Sequence, residues 1–444
     1  MKDNVQYIEN SHVSGWEDKM IVQSKMRESS QAGSVLIFII VAMTIVAIMG
    51  TAIMSLTSSS TFSGLFINNR HKAYYLAQAG RNYATMTILN AYNSADIAVI
   101  TALNGQIFTL PDGNKFYLTT KKESAGITTV ESTGIANPGT ALETKQKIVF
   151  TVRDPTVING AASVGTFTLN SDSFIDGYDS SDGADALYHI DDRAKNLAIV
   201  QTNSLAAGTV TLNRGIIYGK AYCGMGCVAD PCDSAGGIFV CYSGSVINLG
   251  TFAAEKNNPT PVLELPIGGT NILIAGSESS TPFPPIDIGS DGTVTKLRAR
   301  NGSGGLDLTV NNSTINIYGD VTLIVDGSLT FINASNIVIQ PNSTLVLWIN
   351  TKLEAGGISK LNVDALGNAG APPNLLIKGI EMTRLNFVKD SRTYCSIYAP
   401  GAEVNVDNTS EVFGSFYAKD INMNGGKLHC DMAFSETKGT FGGY

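Results

Sequence analysis

From Val35 to Met54 the chain reads VLIFIIVAMTIVAIMGTAIM, twenty residues without a charge. Coiled as an α-helix, such a run extends ~30 Å, the thickness of a bilayer core. A secretory signal has a shorter apolar core, roughly 7–15 residues, followed by a small-residue cleavage site. No A-x-A site directly follows the run here. Lys19, Lys25 and Arg27 precede the run, and the next basic residue is Arg70. The bias of basic residues to one side predicts an N-terminus on the cytoplasmic face and the remainder of the chain outside.

The helical pattern continues beyond the apolar run. Phe62, Phe66, Ala73, Leu76, Gly80 and Tyr83 recur at spacings of three, four and seven, as on one face of an amphipathic helix. No proline occurs between Ser34 and Asn93. The pattern predicts one helix over 34–94, half in lipid and half against a globular head. A plain single-pass anchor is the simpler reading of the same run.

Two short stretches carry a family resemblance. Gln31-Ala32-Gly33-Ser34-Val35-Leu36-Ile37 resembles a prepilin peptidase site, which implies cleavage between Gly33 and Ser34 and residues 1–33 as a leader. Translation from Met26 would shorten that leader to MRESSQAG. Lys72-Ala73-Tyr74-Tyr75-Leu76-Ala77-Gln78-Ala79-Gly80 is similar to the helix motif of PilX-type minor pilins of type IV pili. The resemblance implies partners: other pilins through the helix, prepilin peptidase, and the inner-membrane assembly platform. The fifth residue after the cut is Phe38, where most such subunits carry a glutamate. A subunit at a filament tip has no preceding neighbour for that carboxylate to pair with, and an unpaired carboxylate in lipid is costly.

After the helix, residues 95–154 read as a small antiparallel sheet. Gln106–Leu110 and Lys115–Thr119 flank the turn Pro111-Asp112-Gly113-Asn114, and Ile127–Glu131 and Lys145–Val152 supply two more strands. Ser132-Thr133-Gly134 resembles a turn that recurs at this place in pilin-like sequences. Asp154-Pro155 marks the expected boundary.

From 155 to 444 the texture changes. Only 15% of all residues are charged, and 45 are glycine. Short apolar-alternating runs at Thr209–Leu212, Gly215–Tyr218, Ser313–Tyr318, Val321–Val325, Ser328–Ile332, Asn336–Ile339 and Thr344–Trp348 are separated by Gly, Asn, Asp and Ser. Ile397-Tyr398-Ala399 and Phe416-Tyr417-Ala418 recur nineteen residues apart. Such density predicts the rungs of a β-helix or solenoid, each burying its apolar residues against neighbours above and below. A β-sandwich is the alternative. The expected fold is therefore mostly β with one long N-terminal helix.

Four further stretches resemble elements of an uncharacterised domain often joined to PilX-type N-termini. The opening is Phe174-Ile175-Asp176-Gly177-Tyr178-Asp179-Ser180. Ala399-Pro400-Gly401-Ala402-Glu403-Val404 resembles an element within it, and Phe413-Gly414-Ser415 followed by Leu428-His429-Cys430-Asp431 resembles its close. The domain carries no known activity, so none is implied.

Candidate chemistry is sparse. Cys223, Cys227, Cys232 and Cys241 cluster at a spacing unlike standard zinc sites. In an oxidising compartment they read as two disulfides of open connectivity. Cys395 and Cys430 read either as a third pair or as small buried residues. Asp172, Asp176, Asp179 and Asp182 could offer oxygens to calcium, although Asp with Gly and Ser is ordinary turn material. Asp191, Asp192 and Arg193 read as a solvated ion-pair turn. Asp320, Asp326, Asp407, Asp420 and Asp431 each adjoin Gly or end a strand, as turn residues rather than catalytic carboxylates. Asn301, Asn311, Asn312, Asn333, Asn342 and Asn408 sit in N-x-[ST] matches that read as rung corners.

No catalytic or cofactor motif is recognised. A net charge of -8 argues against nucleic acid. The expected function is a minor pilin-like subunit held in the inner membrane with a periplasmic head, then carried into a type IV pilus. A tip position and adhesion to a glycan or host surface would follow. The alternatives are a type II secretion pseudopilin and a membrane-anchored polysaccharide-binding β-helix.

Overall fold

A computed structural model describes residues 21–156, 160–179, 188, 190–227, 232, 237–254, 263–274, 284–301, 305–364, 366–380 and 384–431. The chain divides into two compact units, Met1–His71 and Lys72–Tyr444.

Helix α1 runs over Ile21–Ser94, so helical backbone begins before the expected start at Ser34. Between 35 and 67 the large apolar side chains are exposed all around the rod. Phe62 and Phe66, expected on the packed face, belong to this exposed stretch. In the second unit the packed face consists of Ala73, Leu76, Ala77, Ala84, Ile88 and Tyr92. Tyr83 lies at its margin, its ring 4.7 Å from that of Phe108. The helix ends where the sequence indicates. Ala95 adopts a left-handed φ of 54°, and Asp96 N–H donates back to the Ala91 carbonyl at 2.9 Å, the bond that closes a Schellman cap.

Helix α2 (Ile97–Ala102) leads into a four-stranded antiparallel meander, β1 (Ile107–Thr109), β2 (Lys115–Ser124), β3 (Ile127–Ala136) and β4 (Thr144–Arg153). The turn after β1 forms as read. Gly113 has φ +80°, and the Asp112 carboxylate accepts from the Asn114 backbone N–H at 3.2 Å. Phe116, Leu118, Val130 and Val152 bury Ala84, Ile88 and Tyr92 of the helix.

The rest is a parallel β-solenoid with three faces, so the sandwich alternative does not describe it. The period-eight strands fall at Ser328–Ile332, Asn336–Ile339 and Thr344–Ile349, one on each face. Ile397↔Phe416, Tyr398↔Tyr417 and Ala399↔Ala418 stack in register, so the nineteen-residue repeat is one rung. Corners use left-handed asparagine at Asn312, Asn333, Asn342 and Asn408, a conformation Asn tolerates well. Buried serines stitch rungs together, Ser335 Oγ donating to the Val310 carbonyl at 2.8 Å and Ser359 Oγ to that of Asn333 at 3.1 Å. Val321, Leu323, Leu345, Leu347, Ile377, Ile397 and Phe416 fill the interior.

The rungs do not stack in chain order. The last strands, Glu411–Asn424 and Lys427–Asp431, pair with the first, Ala161–Ser163, Phe167–Asn170 and Phe174–Tyr178. Strands from Ala198 to Ala253 continue the stack on one side of this seam, and strands from Asn424 back to Thr270 on the other. Between the two ends the chain returns along one face, where Leu263 and Leu265 cover Trp348 and Leu376. Leu263 also covers Tyr398 and Tyr417.

Candidate functional site

Three arrangements concentrate the distinctive residues of the sequence. The first is the helix motif. Ala73, Ala77 and Gly80 are buried against β3, whereas Tyr74 and Ala79 are exposed and Gln78 is half-buried. Ser132-Thr133-Gly134 is no turn; it lies inside β3. A Cβ on Gly134 would collide with the Ala73 carbonyl and the Ala77 nitrogen. One on Gly80 would strike Ser132 Oγ and the Phe116 ring. Ser132 Oγ donates to the Ala77 carbonyl at 2.8 Å. The small residues of both motifs therefore let helix and strand approach closely, a role that turn-like composition disguises. Gly33 and Ser34 lie within helical backbone of α1.

The second is the junction between meander and solenoid. At the expected boundary, Asp154 makes a buried contact. Lys378 Nζ lies 2.5 Å from Asp154 Oδ2, both side chains 1% exposed. Asp154 Oδ1 accepts from Thr156 N and Oγ1 at 3.0 and 2.6 Å. Lys378 also sits 4.9 Å from the Trp348 ring centre. Beside it, Lys122 Nζ meets Asp320 at 2.6 Å and Thr344 Oγ1 at 2.6 Å. Burial pushes the Lys122 ammonium pKa down, against the raising effect of Asp320. Burial, partly offset by the Thr128 hydrogen bond, raises the phenol of Tyr92, whose Oη lies 2.7 Å from Thr128 Oγ1.

The third is the seam, where the opening and closing motifs meet. Asp176, fully buried, lies 2.6 Å from His429 Nδ1. Its other oxygen accepts from Tyr188 Oη at 2.8 Å and Arg193 Nε at 3.1 Å. The Arg193 guanidinium covers Phe174 at 3.9 Å and reaches Asp176; the side chains of Asp191 and Asp192, expected beside it in an ion-pair turn, lie outside those described. The His429 ring stacks on Phe413 at 4.3 Å and touches Tyr188 at 4.1 Å. Burial and then the Asp176 carboxylate raise the Tyr188 phenol pKa. A carboxylate fixing Nδ1 sets the imidazole orientation. His429 Nε2 is buried without a hydrogen-bond partner among the described residues. Cys430 points the other way, into the core.

Of the calcium candidates, Asp172 sits at an exposed corner 3.8 Å from Arg214, Asp176 is engaged as above, Asp179 is half-buried, and Asp182, like Ser180 of the opening motif, lies outside the described residues. Among the described residues no group of three His, Cys, Asp or Glu converges on a metal position. Cys223 stands at disulfide distance from Cys227 and Cys232 from Cys241, with Cα separations of 6.2 and 5.4 Å. Cys395 and Cys430 are free and buried. Gly414 separates them in one column, placing their backbones two strand spacings apart, ~9.6 Å, beyond disulfide reach. Asp320 and Asp326 are held by Lys122 and by Arg298 with Arg300. Asp420 accepts from Thr166 N and Oγ1 at 2.8 and 2.7 Å.

Residues 286–437 match a family described as a domain of unknown function (DUF7305). The matched stretch contains His429 but not Asp176, so its closing strand is completed by a strand from the preceding part of the chain. No curated protein matches the chain, and no solved structure does.

Proposed function

We propose that this protein is a minor pilin-like subunit of a type IV pilus, processed before Ser34, held by α1 and displaying the solenoid outward. The observation that carries this reading is the apolar rod from Val35 to Met54, whose large side chains are exposed all around. It is long and apolar enough to cross a membrane. An apolar rod of that kind needs lipid or like helices around it, and a subunit that exchanges the first for the second meets both needs. The small-residue packing of Ala73, Ala77 and Gly80 on Ser132 and Gly134 supports the reading, because it gives the pilin-like helix motif a purpose in seating the helix on a meander. Phe38 in place of a carboxylate, together with a solenoid much larger than the meander, favours the filament tip. No step of this function needs a catalytic residue.

The deciding experiment is mass spectrometry of the mature protein from native membranes and sheared filaments. The expected first residue is Ser34, with the protein present in the filament fraction. A mature start beyond Met54, or an intact leader on a protein that never joins filaments, overturns the proposal.

A further inference from the structure

Each solenoid face has a different covering. On one face Trp348, Leu376, Tyr398 and Tyr417 are fully buried beneath the meander and the returning chain. On a second, the outward column of Phe413, His429 and Asp176 is buried beneath Tyr188 and Arg193. On the third, the outward central column stays part-exposed along its length.

That column is uncharged over five successive rungs. Asn386↔Asn405, Asn405↔Asn422, Asn422↔Thr168 and Thr168↔Thr211 are in register, forming a strip ~19 Å long at the ~4.8 Å spacing of paired strands. The amides are oriented by each other and by one flanking acid. Asn405 Nδ2 donates to Asn386 Oδ1 at 3.1 Å and Asn422 Nδ2 to Glu403 Oε1 at 2.6 Å. Glu403 is itself paired with Arg384 at 3.5 Å. The strip crosses the seam between the first and last rungs. None of its side chains is a large exposed apolar group, so it lacks the greasy centre of a protein–protein interface. It also lacks the unpaired cations that would hold a polyanion.

The geometry points to this amide and hydroxyl strip as a binding face for an extended neutral polysaccharide. Each rung offers a donor and an acceptor from a flat sheet, and the rung spacing is close to the rise of an extended chain of linked sugars. Unpaired charge would be a desolvation burden against an uncharged, hydroxyl-rich partner, and the strip carries none. The inference concerns the solenoid alone and does not require filament assembly, so it can fail while the pilin reading stands, and the reverse.

The test uses the full chain in a detergent without sugar headgroups. Retention is measured on cellulose, chitin and an insoluble β-1,3-glucan, with heparin and polygalacturonate as charged probes. Retention on at least one neutral probe, little affected by salt, is expected. Asn386→Leu with Asn405→Leu and Asn422→Leu should weaken it at least tenfold, and Asn316→Leu on another face should leave it unchanged. Because asparagine columns also brace solenoids, the near-isosteric pair Thr168→Val and Thr211→Val provides a second arm. Several-fold weaker retention is expected there at an unchanged thermal midpoint. Absence of retention on every neutral probe, retention on the charged probes alone, or retention indifferent to both sets of strip variants overturns the inference.

Discussion

Lys378 Nζ and Asp154 Oδ2 meet at 2.5 Å in a site where each side chain is 1% exposed, tying the solenoid to the last residue before it. Desolvation makes such a pair a modest net stabiliser, but removing one partner strands a buried charge. Lys378→Met should lower stability by about 3–5 kcal/mol. Lys378→Met combined with Asp154→Leu should recover part of that loss. A double-mutant cycle of thermal or denaturant unfolding checks both, and additive losses would show that the two groups do not interact.

Gly134 explains why the helix motif needs small residues. A methyl group there would drive β3 away from Ala73 and Ala77. Gly134→Ala should cost about 1–3 kcal/mol by overpacking, and Gly134→Val should cost more. Thr129→Ala, a half-buried position of β3, should stay within about 1 kcal/mol. Unfolding midpoints of the three variants give the comparison.

Much of this architecture is legible in the residues themselves. Ser328–Ile332 can be read to the residue because a half-exposed strand alternates, and Asn336–Ile339 because the asparagine corners Asn333 and Asn342 bound it. Thr344–Ile349 is visible as apolar, yet its two covered faces remove the alternation that would orient it. The order of rungs is hidden, since nothing local to Phe174–Tyr178 specifies Lys427–Asp431 as its neighbour; parallel pairing is set by the whole stack. The contact between Arg193 and Asp176 is hidden for the same reason, the two lying seventeen residues apart in sequence. Gly134 misleads because glycine serves both turns and close approach, and composition cannot separate them.

The seam predicts how truncation should behave. Strands 161–178 lean on 411–431, and Asp176–His429 locks them beneath Tyr188. A chain ending at Asp407 would expose the edge of strands 161–178 and part the stack. Limited proteolysis should then cut within 161–253 many times faster than in the full chain. His429→Ala, which removes one of three donors to Asp176, should cost about 1–3 kcal/mol and raise hydrogen exchange in 188–196 and 427–431 before elsewhere. Equal protection in both chains would mean that each half-stack stands alone.

Alkaline pH tests the buried acids. Burial raises the Cys395 and Cys430 thiols above their ordinary 9.0, and burial is also the first cause raising the phenols of Tyr92, Tyr178 and Tyr398 above 10.0. Each folded group thus holds its proton more tightly than the unfolded one. Their contribution is fully present below the unfolded pKa and is lost as pH rises through that value towards the folded one, because only the unfolded chain then releases protons. The thermal midpoint should be level from pH 7 to about 8.5, fall gently above about 9 as unfolded thiols ionise, and fall more steeply above about 10 as phenols join them. Replacing Cys395 and Cys430 with alanine should remove the first descent and leave the second. A profile flat to pH 11, or one whose first descent survives both replacements, would show that these thiols are not what the fold keeps protonated.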